Sequence, residues 1–163
     1  MASKAGGIAV LVLFGLAALG STDSGCDIGN GDDGEINFDN APTCDGVVVV
    51  ETASGNAQVP GDTSPIGSDG SANCVLQEGS GDDEAILVLQ SALVRCNGQS
   101  VGVDGNFGAE TTQALMNVQQ QHGVTADGAY GPATLEVMGW PSTGSGGCVS
   151  GVSASSNVID ESS

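Results

Sequence analysis

The sequence predicts a mainly α fold. A small three-helix bundle over residues 73–141 is preceded by a Gly/Asp-rich segment (21–72), partly β or disordered, and followed by a Ser/Gly-rich tail (142–163). Three observations carry this. Apolar residues recur at helical spacing within 73–141. An eight-residue motif occurs twice in the same stretch, each copy leading into a helix. Residues 21–72 instead hold ten acids, nine glycines and few large apolar side chains.

The first helix is expected to start at Asp82-Asp83-Glu84, where negative charge suits the positive end of the helix dipole. Ile86, Leu89 and Leu93 then fall on one face, and the helix ends near Cys96 and Asn97-Gly98. The second spans Ala109 to His122. Thr111, Leu115, Val118 and Gln119 form its inward stripe, and Gly123 stops it. The third starts at Pro132, a favoured first-turn position, and runs to about Met138.

The repeat lies between these helices. Residues 104–111 read Asp-Gly-Asn-Phe-Gly-Ala-Glu-Thr and residues 127–134 read Asp-Gly-Ala-Tyr-Gly-Pro-Ala-Thr. Asp-Gly suits a tight turn, in which Gly supplies positive φ and Asp bonds nearby amides. The aromatic is expected to plug into the core, the second Gly to let the chain enter its helix closely, and the Thr hydroxyl to help cap it. Before this module, Val47-Val48-Val49-Val50 is the one strong strand signal, with Ile36-Asn37-Phe38 as its expected partner.

The N-terminus has the pattern of a secretory signal over residues 1–20. Lys4 precedes the apolar run Ile8 to Leu19, shorter than the roughly 20 residues of a spanning helix. Ala18-Leu19-Gly20 forms a cleavage motif before Ser21. The competing reading is an uncleaved anchor or a buried helix. Export puts Cys26, Cys44, Cys74, Cys96 and Cys148 where disulfides form. Five is odd. A lipid anchor on Cys26 would leave four to pair, but Asp23 stands where a lipoprotein signal wants an apolar residue.

Charge and composition exclude several functions. The chain has 163 residues, with 20 Asp and Glu against two Lys and Arg, a formal net charge of −18. Two cations build neither a nucleic-acid interface nor an electrostatic lipid contact. His122 is the only histidine, and its place beside Gly123 suits a helix C-terminus. No His-Glu-x-x-His, Cys-x-x-Cys or Gly-x-Ser-x-Gly is present, so neither an enzyme, a zinc site nor any cofactor is expected. Residues 27–40 resemble a calcium loop in content but fail in register.

Leu89-Gln90, Val103-Asp104-Gly105-Asn106-Phe107-Gly108, Thr111-Thr112, Ala114-Leu115, Val118-Gln119, His122-Gly123-Val124 and Asp127 through Thr134 resemble the peptidoglycan-binding-like family. These are small three-helix modules attached to bacterial cell-wall hydrolases. The likeness covers roughly residues 75–140. Val118 departs from it, since the family usually has Phe before that Gln.

The resemblance implies a secreted, cell-wall-associated bacterial protein that binds peptidoglycan without cutting it, with a separate cell-wall hydrolase as a further partner. The alternative is a cell-surface structural or protein-interaction role with a calcium-binding acidic segment. A wall binder needs a shallow groove, an apolar floor and a few polar partners. The candidates are Asp104, Asn106, Gln119, Asp127, Tyr130 and Trp140, with turn and cap roles competing for Asp104 and Asp127. A Cys74–Cys96 disulfide is expected to lash the chain preceding the first helix along it, a loop worth about 3 kcal/mol. Pairing of either cysteine with Cys44 or Cys148 is the alternative.

Overall fold

Four consecutive valines need a surface on which β-branched side chains pack well, and a strand provides it. In the computed structural model, which describes residues 41–64, 70–80, 82–144 and 146–159, they lie inside strand β1, Gly46–Thr52. The expected signal segment (1–20), Cys26, residues 27–40 and the expected partner strand Ile36–Phe38 lie outside the described residues. β1 pairs antiparallel with β2, Gly55–Gly61, from Gly46 opposite Gly61 to Thr52 opposite Gly55. The reversal at Ala53-Ser54 uses Gly55 at φ +130° and is pinned by Thr52, whose hydroxyl donates to Gly55 O at 2.7 Å. Pro60 is tolerated because β2 is the edge of this sheet.

The helices fall where the sequence places them. Helix α1 spans Asp83–Cys96, with Asp82 as N-cap accepting from Ala85 N at 2.7 Å. Helix α2 spans Ala109–His122 and ends on Gly123 in the left-handed region at φ 72°. Helix α3 is Pro132–Val137, with Pro132 in its first turn. Neither α2 nor α3 has a side-chain cap. The threonines expected to cap them are turned inward instead.

The expected bundle is corrected in one respect. α1 packs more extensively on β2 and on the chain around Trp140 than on α2. α3 has six residues, about 9 Å of helix, too short to cover the buried face of α1. The hairpin covers it instead. Val48, Val50 and Val59 share one core with Ile86, Leu89, Leu93 and Trp140. Each such side chain contributes about 1.5–3 kcal/mol on burial. The fold of the described chain is therefore mixed α and β, with the helical part intact.

The tail joins the same body. Strand β3, Trp140–Pro141, pairs with β4, Cys148–Val149, and β5, Val158–Ile159, pairs with β1 to give the order β2-β1-β5. Val149 and Val152 are buried.

The expected Cys74–Cys96 bridge is overturned. Cys44 pairs with Cys74, and Cys96 with Cys148. The reason is topological. Residues 43–44 run beside 75, with Cys44 N donating to Val75 O at 3.0 Å, so Cys74 faces the segment leading into β1 and not the end of α1. The far end of α1 meets the β3-β4 ribbon, which brings Cys148 to Cys96.

Candidate functional site

The doubled motif folds into two like elbows, each organised by a buried glutamine from the preceding helix. Gln90 Oε1 accepts from Asp104 N and Gly105 N, at 3.0 and 2.9 Å. Its Nε2 donates to Asp104 Oδ1, Asn106 O and Thr111 Oγ1 at 3.0 to 3.2 Å. Gln119 repeats the pattern. Its Oε1 accepts from Gly128 N at 2.9 Å, and its Nε2 donates to Asp127 Oδ1, Ala129 O and Thr134 Oγ1 at 2.7 to 3.0 Å. Both glutamines are 1% exposed, so these bonds replace water completely.

The aspartates close each turn on itself. Asp104 Oδ1 accepts from Asn106 N, and Asp127 Oδ1 from Ala129 N. The Asn106 amide and the Gln90 side chain together hold the Asp104 carboxyl below its ordinary pKa. Phe107 enters the core as expected, and Tyr130 is buried beside Trp140. Tyr130 stacks edge-to-face on Trp140, with ring centroids 5.9 Å apart. The Tyr130 hydroxyl, whose pKa is raised by burial, donates to Pro60 O at 3.4 Å. Trp140 Nε1 donates to Leu135 O at 3.1 Å.

This placement corrects half of the expected ligand-binding set. Gln119, Tyr130 and Trp140 are interior, with Tyr130 and Trp140 wholly inaccessible to solvent. Gln119 organises the second elbow, and Tyr130 and Trp140 pack in the core, so none of the three offers a binding surface. Asp104, Asn106 and Asp127 are exposed at the elbow tips, where their amides and carboxylates serve the turns. The clamp role of Gln90 was not legible as a site. Its signal is the apolar-Gln pair, Leu89-Gln90 and Val118-Gln119, standing before each copy of the motif.

One surface concavity among the described residues lies beside α1. A groove of about 230 Å³ runs along α1 where that helix meets β2 and β3. Glu84, Leu87, Val88, Ser91 and Arg95 form its helical wall, and Gln58 with Pro141, Ser142 and Thr143 the opposite one. Leu87 remains 38% exposed there. Arg95 is the only lysine or arginine among the described residues, and no described residue makes a hydrogen bond or ion pair with its guanidinium. The chemistry such a surface offers is recognition, with an apolar floor, hydroxyl and amide groups, and one charge of each sign. Among the described residues no group of acidic, His and Cys side chains is arranged to hold a metal ion.

Two turn-organised elbows on short helices define a small helical module, and comparison with known proteins finds its like. Residues 82–138 match the model of the peptidoglycan binding domain family. Relatives that match part of the chain are named as N-acetylmuramoyl-L-alanine amidases. The N-acetylmuramoyl-L-alanine amidase CwlM of Mycobacterium tuberculosis is 41% identical over 58 residues, which are 36% of this chain and 14% of that enzyme. The N-acetylmuramoyl-L-alanine amidase CwlL of Bacillus licheniformis is 33% identical over 92 residues, 55% of this chain and 25% of that enzyme. The likeness thus spans a quarter or less of either amidase. No solved structure matches.

Proposed function

We propose that the chain is an exported, non-catalytic bacterial protein that binds peptidoglycan through its helical module. The observation that carries this is the match of residues 82–138 to a peptidoglycan binding domain, with both elbows complete. The amidases resemble the chain over a minority of their own length, so the likeness supports a shared wall-binding part and transfers no catalysis. Wall binding entails association with the cell wall, where a separate hydrolase is the natural partner. The leader-like residues 1–20 and the disulfides support an oxidising, extracytoplasmic setting. Among the described residues no helix is long and apolar enough to cross a membrane.

Co-sedimentation with purified insoluble sacculi tests the proposal. The folded protein is expected in the pellet. Complete recovery in the supernatant, with native Trp140 fluorescence, overturns it.

A further inference from the structure

We infer that the groove between α1, β2 and β3 takes the peptide arm of the wall polymer rather than its sugar chain. The inference rests on the proposed wall binding and deepens it by naming the moiety and the surface.

The accessible chemistry favours a peptide. Sugar rings are commonly held by stacking their C–H faces on an accessible aromatic ring. Among the described residues there is none: Phe107 is 2% exposed, and Tyr130 and Trp140 are 0%. The groove offers instead the contacts an extended peptide uses. Leu87, Val88 and Pro141 receive small aliphatic side chains, and Gln58, Ser91 and Thr143 lie within reach of backbone amides.

Its two ends carry opposite charge. Glu84 stands in the first turn of α1 and Arg95 in the last, about 16 Å apart along the axis. That is the length of about five residues of extended chain. A short peptide with an amine near Glu84 and a carboxylate near Arg95 therefore matches both ends. Guanidinium suits this role, because its planar fork pairs a carboxylate with two parallel bonds. In so acidic a chain, its lack of any partner among the described residues leaves that fork available.

One wall of the groove belongs to this chain beyond the shared family segment. Gln58, Pro141, Ser142 and Thr143 all lie outside residues 82–138. The site is thus made jointly by the common module and by the hairpin and ribbon packed on it.

The test uses the full chain with both disulfides formed. Binding is compared on intact sacculi and on glycan strands from which an amidase has removed the peptides. Stripping is expected to lower binding strongly. Arg95→Ala is expected to weaken binding to intact sacculi about ten-fold or more, the effect of losing a charge-assisted bond. Ser91→Trp, which fills the groove and keeps the charge, is expected to do the same. Val103→Ser, at an exposed residue that does not line the groove, is expected to bind as the parent does.

If Arg95 served only the helix dipole, its removal would lower the melting temperature and leave the preference for intact over stripped wall unchanged, which overturns the inference. Equal binding to stripped glycan overturns it also, and leaves the proposed function standing. Failure of the folded parent to sediment with either polymer removes both.

Discussion

Gln119 Nε2 donates to Asp127 Oδ1 at 2.7 Å, across the second elbow and out of the buried face of α2. The bond belongs to a set that also satisfies Gly128 N, Ala129 O and Thr134 Oγ1. Gln119→Leu keeps the volume and strands these groups in the interior. A loss of about 2–4 kcal/mol is expected, since each buried group left unpaired costs about 1–3 kcal/mol. Urea midpoints for Gln119→Leu and Gln90→Leu measure it. A loss under about 1 kcal/mol in both, the net worth of a single ordinary hydrogen bond, would remove the clamp as the organiser of the elbows.

Gly128 and Gly98 share a left-handed backbone, at φ +72° and +63°. A Cβ on Gly128 would sit 2.6 Å from Thr112 Cγ2, whereas one on Gly98 meets nothing within 4 Å. Both substitutions to Ala incur the left-handed strain of about 1 kcal/mol. Only Gly128→Ala adds the clash. It is expected to cost at least about 2 kcal/mol more, as overpacking typically does. Thermal melts of the two variants compare them directly.

The disulfides span 30 and 52 residues. Chain-entropy arguments assign each about 3.5–4 kcal/mol. Peptide mapping without reduction is expected to give Cys44 linked to Cys74 and Cys96 linked to Cys148. The double variant Cys96→Ser/Cys148→Ser is expected to lower stability by several kcal/mol. It should also release the tail to proteolysis before the elbows, which limited digestion with a broad-specificity protease reads.

Asp45 and Asp104 both have pKa values lowered in the folded state. Hydrogen bonding from the Thr63 amide is the main cause at Asp45, and from the Asn106 amide at Asp104. A carboxyl with a depressed folded value contributes stability above its unfolded value, lost as pH falls through the folded one. That window lies below about pH 4. Protonating the other acids relieves repulsion at the same time, so the difference between parent and variant is the measure. Asp104→Asn is expected to lose less stability than the parent between about pH 4 and 2. Parallel curves would show that Asp104 contributes nothing by this route.

The helical part was legible because its signals are local. Asp82, Gly123 and Pro132 mark ends through backbone chemistry within a turn, and all three boundaries agree with them. Phe107, the aromatic of the first copy of the repeat, also carried its burial with it. The long-range relationships escaped. Nothing near Cys74 announces Cys44 as its partner, since the pairing depends on the parallel contact of Thr43 with Val75. The β-branched run announced a strand, but its cover, β2, is a sequence of Gly, Asn, Gln and Pro in which Ala57 and Val59 are the buried apolar side chains before Pro60. Trp140 looked available because it stands after the last helix. The ribbon it forms with Val149 returns it to the interior.

The Cys96–Cys148 bridge has one more implication. In the amidases the matching stretch occupies a small fraction of a long polypeptide. Here the corresponding helices are stitched to the tail behind them and roofed by the hairpin ahead of them. Excising residues 82–138 alone would sever that stitch and uncover Ile86, Leu89 and Leu93 to water. The matched helices are an inlaid piece, held by a frame as well as by their own joinery.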